Sequence, residues 1–132
     1  MSKYIAIIFI SLFLLSCHQT KQKSTFDNLV PINKNNAEVT FIELGSVNCI
    51  PCRQMQPVMK AVEKKYGNQI NVVFYDVWQP EQEHYAAEYK IKLIPTQIFL
   101  DKSGKEFFRH EGYFPETEID KVLLRKGLRS SN

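Results

Sequence analysis

Cysteine and net charge are both scarce in this chain of 132 residues, which carries 3 Cys and a formal net charge of +3. Three cysteines are too few for the disulfide framework of a small stapled domain, and they cannot by themselves supply four thiolates to zinc. The weak, dispersed charge argues against a nucleic-acid surface or a polybasic membrane patch. A chain of this length predicts one globular domain plus an appendage, and each cysteine needs its own explanation.

A long hydrophobic run is also lacking. The apolar stretch over residues 4–15 has twelve residues, whereas a membrane-spanning helix needs about 20. It follows Lys3, so we predict that residues 1–16 are a secretory signal outside the fold. The sequence Leu14-Leu15-Ser16-Cys17 resembles the lipobox of bacterial lipoproteins. That resemblance implies that Cys17 is a lipid anchor and residues 17–36 a polar tether; an ordinary cleaved signal or an uncleaved anchor remains the alternative.

The remainder, residues 37–132, has the patterns of one α/β domain. Continuous apolar runs predict buried strands at 39–44 and 70–75, and a helical period from Met55 to Tyr66 separates them. A hairpin is predicted over 96–109, and prolines 80 and 115 are placed to begin two further helices. This order predicts a βαβ half and then a ββα half around a central mixed sheet flanked by helices.

Cys49 and Cys52 form a Cys-x-x-Cys motif at the junction of the first strand and the first helix. The free N–H groups and the positive end of the helix dipole would stabilise a thiolate there, which predicts Cys49 as the nucleophile. Cys52 lies one turn further on, close enough to form a disulfide and to resolve a mixed disulfide. Taken alone, the motif also fits half of a zinc site.

Around this motif, residues 37–127 resemble the thioredoxin family. Pro51 precedes the second cysteine, Pro57 falls within the helix, and Ile94-Pro95-Thr96 and Gly112 follow in the family's order. The resemblance implies a cis peptide bond before Pro95, which would expose the backbone of Ile94 to an extended substrate. It also implies that Gly112 lets that substrate chain approach, so Ile94, Pro95, Gly112 and Pro51 are the expected substrate-binding residues.

Glu43 stands where the family usually carries a buried Asp, in an otherwise apolar strand. A desolvated carboxyl there would have a raised pKa and could accept the proton of Cys52. The alternative is a glutamate that faces solvent at the sheet edge. Asn48 replaces the tryptophan that many members place before the first cysteine, so we expect a partner surface that is more polar and more open than that of a general cytosolic thioredoxin. The single tryptophan, Trp78, is interpreted as a packing residue.

The chain resembles more closely the small exported thioredoxins that are associated with membrane electron-transfer proteins of the cytochrome-c-biogenesis type. This implies a membrane-tethered thiol:disulfide oxidoreductase on the periplasmic or extracytoplasmic side, re-reduced by an integral membrane electron donor. Ile50 and Pro51 add no cation or donor between the cysteines, and Glu43 disfavours a second negative charge. Both features favour a reductase of disulfides in exported proteins over an oxidant.

We expect a monomer with no cofactor, no metal ion and no nucleic-acid partner. Two alternatives to the reductase stay open at this point. One is a copper-binding metallochaperone of thioredoxin fold, in which Cys49 and Cys52 would bind the metal together with a His or Met. The other is an oxidase or isomerase of secreted proteins.

Overall fold

The computed structural model describes residues 37–130. The signal peptide predicted for residues 1–16, the anchor Cys17 and the tether up to residue 36 lie outside the described residues, so these predictions stay untested. Between residues 37 and 130, no helix is both long enough and apolar enough to cross a membrane.

The described chain forms one four-stranded sheet with helices on its faces. The elements follow in the order β1 (Val39–Gly45), α1 (Ile50–Tyr66), β2 (Ile70–Asp76), α2 (His84–Glu88), β3 (Thr96–Asp101), β4 (Glu106–Glu111) and α3 (Glu116–Arg125). The strand order is β2-β1-β3-β4. The β1–β2 pair is parallel, whereas β1–β3 and β3–β4 are antiparallel. The predicted βαβ and ββα halves around a mixed sheet are therefore confirmed.

The central strand β1 is buried along its whole length, and its alternate residues serve two apolar layers. Val39 and Phe41 belong to the larger layer, which they share with residues of α1 and α3. Ile42 and Leu44 belong to the smaller layer, which packs with residues of α2. This burial on both faces explains why β1 reads as a continuous apolar run rather than as an alternating one.

The alternation along β1 also determines the face of the sheet on which Glu43 and Gly45 lie. Phe41 faces α1 and stacks on Phe99 of β3, with ring centroids 4.7 Å apart. Glu43 and Gly45 are two and four residues further along the same strand, so they lie on the same face as Phe41. The one acidic residue of β1 is therefore directed toward the helix that begins beside Cys49.

The helix predicted to begin at Pro80 is shorter than expected, because α2 starts only at His84. Turns precede it, in which the carbonyl of Gln79 accepts two backbone N–H groups. The side-chain oxygen of Gln82 accepts the backbone N–H of Asp76 at 2.7 Å. This bond ties the turn to the end of β2, and such side-chain bonds to backbone compete with helix formation.

Candidate active site

Cys49 and Cys52 are joined by a disulfide, with their Cα atoms 5.3 Å apart. That separation lies in the ordinary range for disulfide-bonded residues. Cys49 is 8% exposed, whereas Cys52 is completely buried. The predicted pairing is thus present, and Cys49 is the cysteine nearer to the surface.

Cys49 is the N-cap of α1, and this position explains its chemistry. Its backbone is extended, with φ −95° and ψ 126°, and its Sγ accepts the backbone N–H of Cys52 at 3.4 Å. The first turn of α1 contains no acidic residue. Pro51, which lacks an N–H group, fits in this first turn without loss of a helical hydrogen bond. In the reduced protein, the same N–H group and the helix dipole would favour a thiolate on Cys49.

Asp76, which is not among the predicted site residues, holds the loop that leads to Cys49. Its carboxylate accepts the backbone N–H groups of Val47 and Trp78, each at 3.2 Å. Burial alone would raise the pKa of Asp76, but hydrogen bonds from these two backbone groups and from Ser46 outweigh burial and lower it. A carboxylate at the carboxyl end of a parallel strand was the available sequence signal, because functional side chains gather at that edge.

Apolar side chains are exposed beside the disulfide together with the polar Asn48 and Arg53, and the expectation of a more polar surface stays a prediction. Large hydrophobic side chains that are 46–64% exposed lie on the segments flanking the site: Val47, Ile50, Trp78, Leu93 and Tyr113. Trp78 is 58% exposed, and its interpretation as a packing residue is therefore wrong. The backbone of Trp78 is held through Asp76 to the loop before Cys49. An exposed aromatic residue is thus retained near the site, on the loop after β2.

The predicted substrate-binding segment lies at the same end of the sheet. The Ile94–Pro95 peptide bond is cis, as expected. Register pairs Leu44 with Thr96, so Pro95 lies beside the end of β1, close to where Cys49 follows. Gly112 donates its N–H to the carbonyl of Pro95 at 2.7 Å. Its φ is +94° and a Cβ there would meet nothing within 4 Å, so glycine is required by the backbone conformation and leaves open space for a neighbouring chain.

Glu43 is completely buried, which excludes the alternative of a solvent-facing carboxylate. In the antiparallel register it is paired with Gln97, whose Nε2 donates to Glu43 Oε2 at 3.3 Å. Burial raises the pKa of Glu43 to about 8, and the Gln97 hydrogen bond only partly opposes that rise. The neutral acid is therefore the main form of Glu43 at pH 7.

Gly45 connects Glu43 to the disulfide. A Cβ built on Gly45 would lie 3.1 Å from Cys52 Cβ and 3.2 Å from Cys52 Sγ. Glu43 is two residues earlier on the same face, a distance of roughly 6–7 Å along a strand. The buried carboxyl and the buried sulfur of Cys52 therefore share the α1 side of the sheet.

The Gly45→Ala substitution is expected to destabilise the oxidised protein by about 1–3 kcal/mol, because the added methyl group crowds Cys52 and Phe74. Urea unfolding of the oxidised and reduced forms measures this effect. The loss of stability should be smaller in the reduced form, because Cys52 Sγ is then free of the disulfide and can move. Gly112→Ala is the control, because its cost arises from a positive φ and should be equal in both redox states. Equal losses for Gly45→Ala in both forms would contradict the proposed crowding of the disulfide.

No group of three His, Cys, Asp or Glu side chains within residues 37–130 is arranged to hold a metal ion.

Comparisons with known proteins agree with this architecture. The family described as "Thioredoxin-like domain" matches residues 26–126. Chloroplastic thioredoxin Y of Oryza sativa subsp. japonica is 29% identical over 98 residues, which cover 74% of this chain and 56% of the rice protein. Thioredoxin H5 of Arabidopsis thaliana is 26% identical over 118 residues, covering 89% of this chain and 94% of that protein.

Solved structures of thioredoxins are also similar to this chain. The structure of Fasciola hepatica thioredoxin has a TM-score of 0.62 and 29% sequence identity, covering 72% of this chain and 86% of the fluke protein. The chain thus spans a little over half of the rice relative and nearly all of the Arabidopsis one. The chain belongs to the thioredoxin-like domain family, and this membership together with the Cys49–Cys52 pair supports thiol:disulfide oxidoreductase activity.

Proposed function

We propose that the protein is a membrane-tethered thiol:disulfide reductase that acts on disulfide-bonded exported proteins. The observation that carries the proposal is the Cys49–Cys52 disulfide at the amino end of α1, with the buried carboxyl of Glu43 on the same side of the sheet. The export and tethering parts rest on the signal-like residues 1–16 and on the lipobox-like sequence that ends at Cys17.

The reaction begins when the Cys49 thiolate attacks one sulfur of a substrate disulfide. A Cys49–substrate mixed disulfide forms, the substrate S–S bond breaks, and the first substrate thiolate leaves and takes a proton from solvent. The thiolate of Cys52 then attacks the sulfur of Cys49 and displaces the second substrate thiolate. The two cysteines lose two electrons as they form their disulfide, and the substrate gains them as two thiols.

Glu43 serves the second step in its ionised form, a minor fraction at pH 7, by accepting the proton of Cys52. Its pKa of about 8 lies close to that of an ordinary thiol, about 8.5, so proton transfer between them is nearly balanced. The proton then passes to the departing substrate thiolate or to solvent. Because Cys52 is completely buried, a buried acceptor is better placed than bulk water to take this proton.

The substrate binds as an extended segment across the open end of the site. The Ile94 backbone pairs with it, the cis Pro95 fixes the orientation of that backbone, and Gly112 leaves space for the approaching chain. Pro51, exposed in the first turn of α1, borders the same surface. The exposed apolar side chains around Cys49 favour substrate segments with apolar residues next to the disulfide.

The direction of electron flow follows from how weakly the Cys49 thiolate is stabilised. The residues between the cysteines, Ile50 and Pro51, contribute no positive charge and no side-chain hydrogen-bond donor. In its ionised form, the buried Glu43 opposes the accumulation of a second negative charge nearby. A weakly stabilised dithiol form makes a reductant, which an integral membrane electron donor would re-reduce.

A redox titration of the Cys49–Cys52 couple against glutathione tests this direction. The expected potential is about −250 mV, in the range of thioredoxins and glutaredoxins. A potential near about −120 mV, typical of a strong periplasmic oxidant, would overturn the reductase proposal and favour the oxidase. Reduction of insulin disulfides by the pre-reduced protein is the matching activity assay, with the Cys49→Ser variant as its inactive control.

A further inference from the structure

Two buried oxygen atoms of register-paired residues, Glu43 Oε1 and Gln97 Oε1, have no hydrogen-bond partner among the described residues. Both side chains are completely buried. Buried polar atoms are nearly always paired, so an unpartnered pair on two adjacent strands requires an explanation. Both atoms are acceptors when Glu43 is ionised, whereas a neutral carboxyl group has one O–H donor.

The other polar atom of each side chain takes part in one hydrogen bond. Gln97 Nε2 donates to Glu43 Oε2 at 3.3 Å, across the register pair of β1 and β3. The carbonyl oxygen of a neutral carboxyl group is a better acceptor than its hydroxyl oxygen, so the Gln97 N–H favours the acid hydrogen on Oε1. The Gln97 amide therefore distinguishes the two oxygens of Glu43, and Oε1 becomes the one that carries or accepts a proton.

Among residues 37–130, no charged group adds to the effect of Gln97 on Glu43. Its parallel register partner on β2 is Phe74, and its same-face neighbours on β1 are Phe41 and Gly45. The helix α1 contributes the sulfur of Cys52 behind Gly45. The pKa of Glu43 accordingly reflects burial, which raises it, and the Gln97 hydrogen bond, which lowers it.

We propose that Gln97 is a positioning residue that holds Glu43 Oε2 and thereby leaves Oε1 to exchange a proton with Cys52. This inference rests on the proposed role of Glu43 as the proton acceptor. Gln97 does not touch the substrate in this proposal. It acts through Glu43, by orienting the carboxyl and by stabilising the carboxylate that must be present when the Cys52 thiol is deprotonated.

The Gln97→Met variant tests this inference, because methionine has nearly the same shape and no N–H donor. Carbon-13 NMR titration of the Glu43 carboxyl in the oxidised full-length protein gives the ionisation midpoint. Stopped-flow release of a model substrate thiol from the Cys49 mixed disulfide gives the rate of the second step. We expect the midpoint to rise by about one pH unit and the rate at pH 7 to fall roughly tenfold, with recovery at higher pH.

A merely structural Gln97 predicts a different outcome. The variant would then be less stable, but neither the Glu43 midpoint nor the pH profile of the second step would move, and this result would overturn the inference. Should Gln97→Met not fold, Gln97→Asn keeps the amide but withdraws it from Glu43 Oε2 by one methylene. The same upward shift of the midpoint is expected for Gln97→Asn, and an unchanged midpoint would equally overturn the inference.

The Glu43→Gln variant separates this inference from the proposed function. If Glu43→Gln leaves the second step unchanged, the proton-acceptor role itself fails. If Glu43→Gln slows that step but Gln97→Met alters neither midpoint nor rate, the positioning role alone fails. In the Glu43→Gln background, adding Gln97→Met should slow the second step no further, because the carboxyl through which Gln97 acts is already absent.

Discussion

The oxidised protein is expected to lose several kcal/mol of folding free energy as the pH rises from about 4.5 to about 8, and the Glu43→Gln variant is expected to lose almost none. The reason is the burial of Glu43, whose carboxyl is completely removed from solvent in the folded state. In the part of the chain that the structure describes, its one hydrogen-bond donor is Gln97 Nε2, at 3.3 Å. Ionising the carboxyl inside the sheet therefore costs more than ionising it in the unfolded chain.

The direction of this change in stability follows from how many protons the folded and unfolded states bind. Glu43 has a pKa of about 8 in the folded protein and an ordinary value of 4.5. Below pH 4.5 both states hold the proton, and the contribution to stability is fully present. Between the two values the folded state binds more protons than the unfolded state, so the free energy of unfolding falls by about 1.4 kcal/mol for each pH unit. The complete loss, roughly 5 kcal/mol, is reached above pH 8.

Urea unfolding of the oxidised protein at intervals from pH 4 to pH 9 measures this effect, with Glu43→Gln as the matched control. The buried Asp76 and the half-buried Asp101 do not interfere, because both have a lowered pKa. A carboxyl group with a lowered pKa makes the free energy of unfolding rise with pH. For Asp76 and Asp101 this rise is confined to pH values at or below their ordinary pKa of 3.8. If the free energy of unfolding fell equally for wild type and Glu43→Gln between about pH 4.5 and pH 8, this would contradict a raised pKa at Glu43.

The sequence was informative wherever burial decides the structure. The apolar run at β1 predicted a central strand, because exposing apolar surface is costly. The burial of Glu43 was expected from resemblance to a family that usually carries a buried Asp at this position, and a solvent-facing glutamate was the alternative. The Cys-x-x-Cys motif predicted its disulfide for a local reason, since the spacing within one helical turn brings the two residues together. The cis bond at Pro95 was expected from resemblance to a family, because local physics alone would have favoured trans.

The remaining site residues depend on long-range register. Gln97 is separated from Glu43 by 54 positions in the sequence, and only the antiparallel pairing of β1 with β3 places one opposite the other. Asp76 contacts Val47 because β2 is parallel to β1 and ends at the same edge. The delayed start of α2 has a similar origin, in the bond between the Gln82 side chain and the end of β2. Hydrogen bonds of this kind have no signature in hydrophobic periodicity.

The two cysteines differ in a way that register and capping together explain. Cys49 is the N-cap and retains some exposure, so a substrate disulfide can reach it. Cys52 lies inside the helix, behind the position of the Gly45 backbone and on the side of Glu43. One cysteine therefore faces the substrate and the other faces the proton acceptor, which is the separation of roles that a two-step exchange requires.

Replacing Cys52 with serine is expected to convert the catalyst into a trap. Cys49 can still attack a substrate disulfide in Cys52→Ser, but a serine hydroxyl does not displace the substrate sulfur, so the mixed disulfide should accumulate to nearly one equivalent. Turnover in the insulin assay should fall by roughly three orders of magnitude or more, because the resolving step is lost. Intact-mass measurement under non-reducing conditions would show the adduct, which dithiothreitol should release.

The matched variant Cys49→Ser should lose turnover equally but form no adduct, because the fully buried thiol of Cys52 is inaccessible to a substrate disulfide. The comparison therefore assigns the order of attack and not merely the requirement for both sulfurs. If Cys49→Ser accumulated the adduct and Cys52→Ser did not, the roles of the two cysteines would be reversed. The placement of Glu43 on the Cys52 side would then assist the first attack, and the proton would be accepted before the substrate is bound.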